Sequence, residues 1–381
     1  MGWHVASNGL AVGALAAMLG VASAGSEPCP SQCNSGKVHL GISAPLTGPH
    51  ARLGRQTVLG AETAVSEINA KGELNGFPVE LVAVDDRCDP GLVVDAARRL
   101  VTRGTIKFVI GPTCPPAAMA ASPILAEADV VQFMPTLTEV GITWRVPGHF
   151  FRIAQTDEQA AQALAAHLAR EYQGKKVTVV YTDTFYMRPL IEMVRAGLPA
   201  HANMPVRFET LLDATGAAER LVRVLRRDPP DLIYMAIDSE LVVQLISLLR
   251  ESGIAATLMG GQRLLTYRFI RTPAAEGVQA IAPIGSLDNP EYLKATELLE
   301  RAGVVADLIA LNSYTAVQTW AEAVRRAGSG DPRSVVEVLQ SGTIDTAVGP
   351  VAFDLRGDRR GIQNSPVVLK NGHMKALATG R

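Results

Sequence analysis

The sequence predicts an α/β fold built from two doubly wound parallel-sheet lobes, and three observations carry that expectation. Short β-branched runs alternate with helical stretches from Lys37 onward, the repeated βα order that builds a parallel sheet. The alternation restarts after FFRIAQTDEQ (150–159), so a second α/β unit follows the first. Even without its first 24 residues, the 381-residue chain exceeds what one hydrophobic core usually serves.

In the first unit, strands are expected at VHLGIS (38–43), VELVAV (79–84), KFVIG (107–111) and VVQFM (130–134), separated by helices over 54–70, 90–103 and 115–128. The second unit reads as helix 158–172, strand VTVVYT (177–182), helix 189–200, strand DLIYMAI (231–237), helix 240–251 and a strand near 257–259. Beyond Ile281 come helices over 290–302 and 306–327. The latter carries Ile309, Tyr314, Val317, Trp320 and Val324 close to helical spacing, a stripe that reads as core. The closing runs GPVAFDLRGDRRG and SPVVLKNG predict two strands paired as a β-hairpin around an Arg-Gly-Asp turn. No short internal repeat or low-complexity stretch interrupts this order.

The N-terminus reads as an export signal. Gly9 to Ala24 is an apolar, small-residue run that ends in Ala22-Ser23-Ala24, a site of the A-x-A type, although His4 is the only basic residue before it. Cleavage after residue 24 is expected, and no later segment approaches an uncharged membrane span. Export places the four cysteines in an oxidising compartment, where three pairings are possible. Cys29 and Cys33, in EPCPSQC, lie too near the new terminus to organise a core, whereas Cys88 and Cys114 each follow a strand-like run. The expected bridges are Cys88 with Cys114 and Cys29 with Cys33. Closing the loop from 88 to 114 is worth roughly 3 kcal/mol through restriction of the unfolded chain. A redox-active pair would more often read C-x-x-C, so stabilisation is the expected role.

Composition narrows the function. Hydrophobic residues make up 48% of the chain, enough for two cores, and a net charge of −1 gives no reason to expect nucleic acid or an acidic membrane as partner. Catalysis has little support, since no loop contains G-x-S-x-G, a phosphate-cradling P-loop, H-E-x-x-H or a strand-following G-x-G-x-x-G. Asp85, Asp86 and Asp89 flank a strand end and a helix start, where carboxylates usually cap backbone rather than bind metal. Seven scattered histidines show no ligand spacing. No catalytic residue, metal or cofactor is expected. In open parallel sheets ligands bind beyond the carboxyl ends of the strands, where helix N-termini present free N–H groups. The loops so placed are Pro45–Gly48, Thr113–Ala118 and Pro135–Thr138 in the first unit, and Asp183–Met187, Asp238-Ser239 and Gly260–Arg263 in the second. Arg188 and Arg263 flank these loops, either as solvated side chains or as anion contacts.

The segments GISAPLTGPHARLGRQTVLGAETAVSEINAKGELNG, VDDRCDP, IGPTC, PTLT, FRIAQTDEQ and GPVAFDLRGD together resemble the leucine/isoleucine/valine-binding proteins of ABC importers, with a likeness that spans residues 37–375. The resemblance implies the type I periplasmic binding fold, in which two lobes joined by three hinge crossings trap a ligand as they close. The crossings fall near 151–154, 281–285 and 349–353. The implied division is a signal peptide (1–24), an N-terminal extension (25–36), a first lobe (37–152 with 283–349) and a second (153–282 with 350–381). The likeness also implies the Cys88–Cys114 bridge.

Carried over residue by residue, the family's ligand set survives in part. Thr138 matches the threonine that contacts the ligand's backbone groups, and Tyr186 matches a cleft tyrosine of the second lobe. Thr136 and Pro116, in the same loops as Thr138 and Pro115, count with them as ligand-binding. The serine that holds the ligand carboxylate falls at Pro115, which offers neither hydroxyl nor N–H. The glutamate that pairs with the ligand ammonium falls at Gln262, an aromatic position at Asp238, and a covering aromatic at Leu53. Each charge-assisted bond lost without replacement costs roughly 1.5 to 3 kcal/mol, about one to two decades in affinity. Asp238 for the ammonium, and Arg263 or a neighbouring amide for the carboxylate, are the two repairs that would restore amino-acid binding. The expected function is capture of a small amino-acid-like or organic-acid solute by a periplasmic monomer that delivers it to the membrane permease of an ABC importer. The alternative is a ligand-binding sensor or accessory protein of a signalling or redox system with the same fold.

Overall fold

The protein is described here by a computed structural model that covers residues 33–34, 36–72, 74, 76–184, 187–198, 205–212, 215–237 and 239–377. The expected signal peptide, Cys29, Tyr186, Asp238 and the side chain of Cys33 lie outside the described residues.

The first lobe is laid on β1 (Cys33–Asn34), β2 (Lys37–Ala44), β3 (Val79–Asp85), β4 (Phe108–Ile110), β5 (Val131–Met134) and β6 (Phe150–Arg152). Strands β3, β2, β4, β5 and β6 run parallel, and β1 folds back on β2. The crossovers are α1 (Ala51–Lys71), α2 (Leu92–Thr102) and α3 (Pro115–Glu127). Every residue of β4 and β5 is buried, as expected for a parallel sheet covered by helices on both faces.

The second lobe begins with α4 (Asp157–Glu171), whose N-terminus is closed by a capping box between Thr156 and Gln159. It continues through β7 (Val177–Tyr181), α5 (Met187–Gly197), β8 (Val206–Thr210), α6 (Ala217–Arg227), β9 (Leu232–Ala236), α7 (Ser239–Glu251), β10 (Thr257–Gly260), α8 (Tyr267–Ile270) and β11 (Gln279–Ala282). The chain then returns to the first lobe as α9 (Pro290–Arg301), α10 (Leu308–Ala327) and α11 (Pro332–Ser341). A small sheet follows from β12 (Ile344–Thr346), β13 (Gly349–Phe353) and β14 (Arg359–Arg360), before β15 (Ser365–Lys370) and β16 (His373–Ala376) complete the second lobe. The second sheet has the order β16-β15-β11-β10-β9-β7-β8.

The expected terminal hairpin forms differently. Across the Arg-Gly-Asp turn, β13 pairs with the short β14, not with the SPVVLK run. That run is β15, which lies antiparallel on β11 in the second sheet and makes its hairpin with β16. Pairing on β11 covers an edge that would otherwise expose unpaired backbone groups.

The first-lobe core is packed around α10, where Tyr314, Val317, Trp320 and Val324 are buried as the stripe predicted. Helix α1 crosses it so closely that a Cβ on Gly60 would lie 2.3 Å from the Ala310 carbonyl oxygen, a position only glycine can hold.

The first two crossings are tied to the stretch of chain that runs from the turn after β13 to the start of β15. The fully buried Arg152, at the end of β6, donates Nε–H to Asp358 at 2.7 Å and Nη1–H to the Leu137 carbonyl at 3.0 Å. Gln155 donates to the Asn364 side chain at 3.0 Å, and the Ser365 hydroxyl donates to the Gly285 carbonyl at 3.1 Å.

Candidate functional site

A cavity of about 640 Å³ opens between the lobes, beyond the carboxyl ends of β4, β5, β9 and β10. Its first-lobe wall is made by the start of α1, the start of α3, the loop after β5 and the start of α10. Its second-lobe wall is made by the ends of β9 and β10 and the segment leading into α8.

At the start of α3, Cys114 is the extended N-cap residue, and Pro115 and Pro116 occupy the first two helical positions. Proline suits the first turn because its fixed φ is already helical, but neither residue has an N–H to offer. The helix therefore points its positive end at the cleft with its first two donors removed. Beside it, the Thr136 hydroxyl donates to the Thr113 carbonyl at 2.8 Å. The hydroxyl of Thr113, itself buried in the cavity wall, has no partner among the described residues.

Thr138 follows, with its backbone N–H donating to the Glu139 carboxylate at 3.2 Å. Its hydroxyl oxygen lies 3.5 Å from Nη2 of Arg263, which reaches across from the second lobe. The same nitrogen is 3.7 Å from Asp157, and Nε of Arg263 has no partner among the described residues. Burial pushes the Asp157 carboxyl above its ordinary range, and Arg263 opposes that shift. Gln262 is 8% exposed and donates to the Gln155 carbonyl at 3.3 Å. Gly261, between β10 and Gln262, is held against Tyr234, whose hydroxyl oxygen would lie 2.5 Å from a Cβ there. Burial raises the Tyr234 phenol well above its usual value.

Of the residues the sequence singles out, Leu53, Pro115, Thr136, Thr138 and Gln262 line this one cavity. Pro116 is exposed on the α3 surface and does not. The Pro45–Gly48 loop is also turned away, because Asp85 accepts the Leu46 N–H at 2.8 Å and the Thr47 hydroxyl at 2.6 Å. Asp86 accepts from Ser43 and the Cys88 amide, and Asp89 from the Gly91 and Leu92 amides, so the acidic cluster serves as backbone caps. No cluster of His, Cys, Asp and Glu among the described residues could hold a metal. Arg188 is paired with Asp183 at the exposed loop after β7. Cys88 and Cys114 form the expected disulfide, with Cα atoms 5.4 Å apart, and so anchor the loop after β3 to the start of α3.

Sequence reasoning misses Arg52, Glu139, Tyr267, Arg268 and Asn312, and takes Ile309 for core although it lines the cavity. Arg52 lies over the Tyr267 ring at 6.0 Å, a contact from one lobe to the other. Close by, the buried N-cap Asp307 of α10 accepts the Ala310 N–H at 2.8 Å and, from the second lobe, the Tyr267 N–H at 2.7 Å. Burial outweighs these donors and pushes its carboxyl up to about 6.

Residues 37–371 match the family described as periplasmic binding protein. The Leu/Ile/Val-binding protein BraC3 of Rhizobium johnstonii is 31% identical over 325 residues, which is 84% of this chain and 88% of that protein. Among solved structures, an ABC transporter substrate-binding protein from Desulfitobacterium hafniense in complex with Leu aligns with TM-score 0.74 and 24% identity, covering 90% of this chain and 100% of the other. A solute-binding protein of an ABC transporter from R. palustris in complex with benzoate aligns with TM-score 0.71 and 19% identity, covering 90% and 95%. With its two parallel-sheet lobes, its cleft and this match over most of its length, the chain belongs to the periplasmic binding protein family, among the Leu/Ile/Val-binding proteins.

Proposed function

We propose that this protein is the periplasmic solute-binding component of an ABC importer and that its cleft captures a small organic solute other than an ordinary branched-chain amino acid. One observation supports the ligand reading. Pro115 and Gln262 both line the cavity, and the resemblance matches them to the positions where the family grips a carboxylate and an ammonium, so on this reading neither grip has its hydroxyl or its charge. Relatives named for leucine, isoleucine and valine support the importer role, and the fold also serves a protein bound to benzoate. Delivery to a membrane permease, export by a signal over 1–24, and the division into lobes 37–152 with 283–349 and 153–282 with 350–381 belong to the same proposal. Ligand contacts then act on the hinge equilibrium, because only the closed arrangement brings both walls onto the solute.

The test is calorimetry with leucine on protein stripped of ligand by unfolding and refolding. Leucine is expected to bind no tighter than tens of micromolar, because two lost charge-assisted contacts remove roughly two to four decades. Organic acids are expected to raise the thermal midpoint by mass action. Submicromolar leucine binding overturns the ligand reading.

A further inference from the structure

The charges around the cleft deepen that reading and rest on it. Among the described residues that line the cavity, three guanidinium groups (Arg52, Arg263 and Arg268) face one carboxylate, Glu139. Arg263 is the most buried of the three, and it also lines a second, smaller pocket together with Asp157 and Tyr234. Its side chain is 35% exposed, and the nearest acceptors found for it, Asp157 and Thr138, stand at 3.7 and 3.5 Å. A charge-assisted hydrogen bond of this kind is normally about 2.7 to 2.9 Å long. The guanidinium is thus held by loose contacts through Nη2, and its buried Nε has no partner among the described residues. On the opposite wall, the buried hydroxyl of Thr113, which has no partner among the described residues, sits one residue from the Cys114 N-cap, at the positive end of α3.

We propose that Arg263, with the hydroxyls of Thr113 and Thr138, is the receptor for the ligand's anionic group, and that the preferred ligand is an organic monocarboxylate without an ammonium group. A planar guanidinium presents donors in the fork that a carboxylate accepts, and the threonine hydroxyls can donate from the other lobe. The carboxylate would join the lobes by bonds that exist only when they are closed. With Gln262 neutral, no described residue at the family's ammonium position favours a zwitterion over the plain acid.

The test compares acids with their amides, which keep shape and lose charge. Benzoate and 4-methylpentanoate, the latter being leucine without its ammonium, are titrated into the refolded full chain beside benzamide and 4-methylpentanamide. The wild type is expected to prefer at least one acid over its amide by about one to two decades, the worth of a charge-assisted contact. Arg263→Gln should lower affinity for that acid by a similar factor and leave the amide within about threefold, while Arg263→Lys keeps part of the preference. Thr113→Val, a nearly isosteric change, should cost the acid about tenfold and so tests the same receptor if Arg263→Gln fails to fold. An acid-to-amide ratio that is the same in wild type and Arg263→Gln overturns the receptor and leaves the non-amino-acid reading standing. A wild type that takes neither acid also overturns it, and one that instead binds leucine below micromolar overturns both.

Discussion

Arg152 and Arg263 are the same side chain put to opposite uses on either side of the lobe boundary. Arg152 is wholly buried, and Asp358 meets its charge at 2.7 Å. Each arginine has one buried nitrogen without a partner among the described residues, so the contrast lies in the distance of the counter-charge and in access to the cavity. A guanidinium locked to its carboxylate in a dry site is part of the scaffold. One that stands in the cavity wall, 3.7 Å from its carboxylate, keeps its charge available to a solute.

Substitutions at the two arginines and their partners test this contrast. Asp358→Ala strands the Arg152 charge and should lower unfolding free energy by about 3 to 5 kcal/mol in denaturant titrations. The paired change Arg152→Met with Asp358→Leu should recover most of that loss, since it removes the buried charge as well as its partner. A loss below about 1 kcal/mol in the single variant would place the Arg152 pair on the same loose footing as Arg263. Cys88→Ser should cost roughly 3 kcal/mol through the unfolded chain and leave ligand affinity unchanged. A folded Cys88→Ser protein that no longer binds would show that the bridge shapes the site.

Asp307 gives a pH-dependent test. Its folded-state value of about 6 lies above the ordinary carboxylate range, so the native state holds this proton more tightly than the unfolded chain does. Its contribution is therefore greatest below about pH 4 and is lost as pH rises through about 6, by roughly 3 kcal/mol in all. Urea titrations of wild type and Asp307→Asn across that window should show the wild-type advantage shrinking as pH rises, and a constant difference would contradict the raised value. The smallest stability effect belongs to Arg263→Gln, expected at under about 1 kcal/mol because the pair is long and partly solvated.

Much of this fold is legible in the sequence because parallel strands covered on both faces, such as β5, must be apolar at nearly every position. Strand β8 escapes notice since all five of its residues are only partly buried or exposed, so no apolar run announces it. The terminal strands were harder for another reason. Nothing local in SPVVLK says that its partner is β11, about 90 residues earlier, rather than the strand just before it. In the site, the rule that ligands lie beyond strand ends finds Thr136, Thr138 and Gln262. It does not find Arg52 or Tyr267, which stand on helices and reach the cavity only because the crossings set one lobe against the other. Ile309 belongs to the apolar stripe of α10 by spacing, and it is the first turn of that helix that emerges into the cleft.

The hydrogen bond from the Tyr267 amide to Asp307 has a kinetic meaning as well as an energetic one. The donor belongs to the second lobe and the acceptor to the first, so this amide hydrogen is covered by the partner lobe and not by its own helix. Leu308, whose N–H reaches back to the Leu265 carbonyl at 3.0 Å, is its counterpart in the other direction. On the proposed hinge motion, exchange of these two hydrogens for deuterium is expected to follow separations of the lobes at this corner, while amides inside either sheet record unfolding. These two inter-lobe hydrogens would then report, beside the cavity, how often the proposed opening occurs.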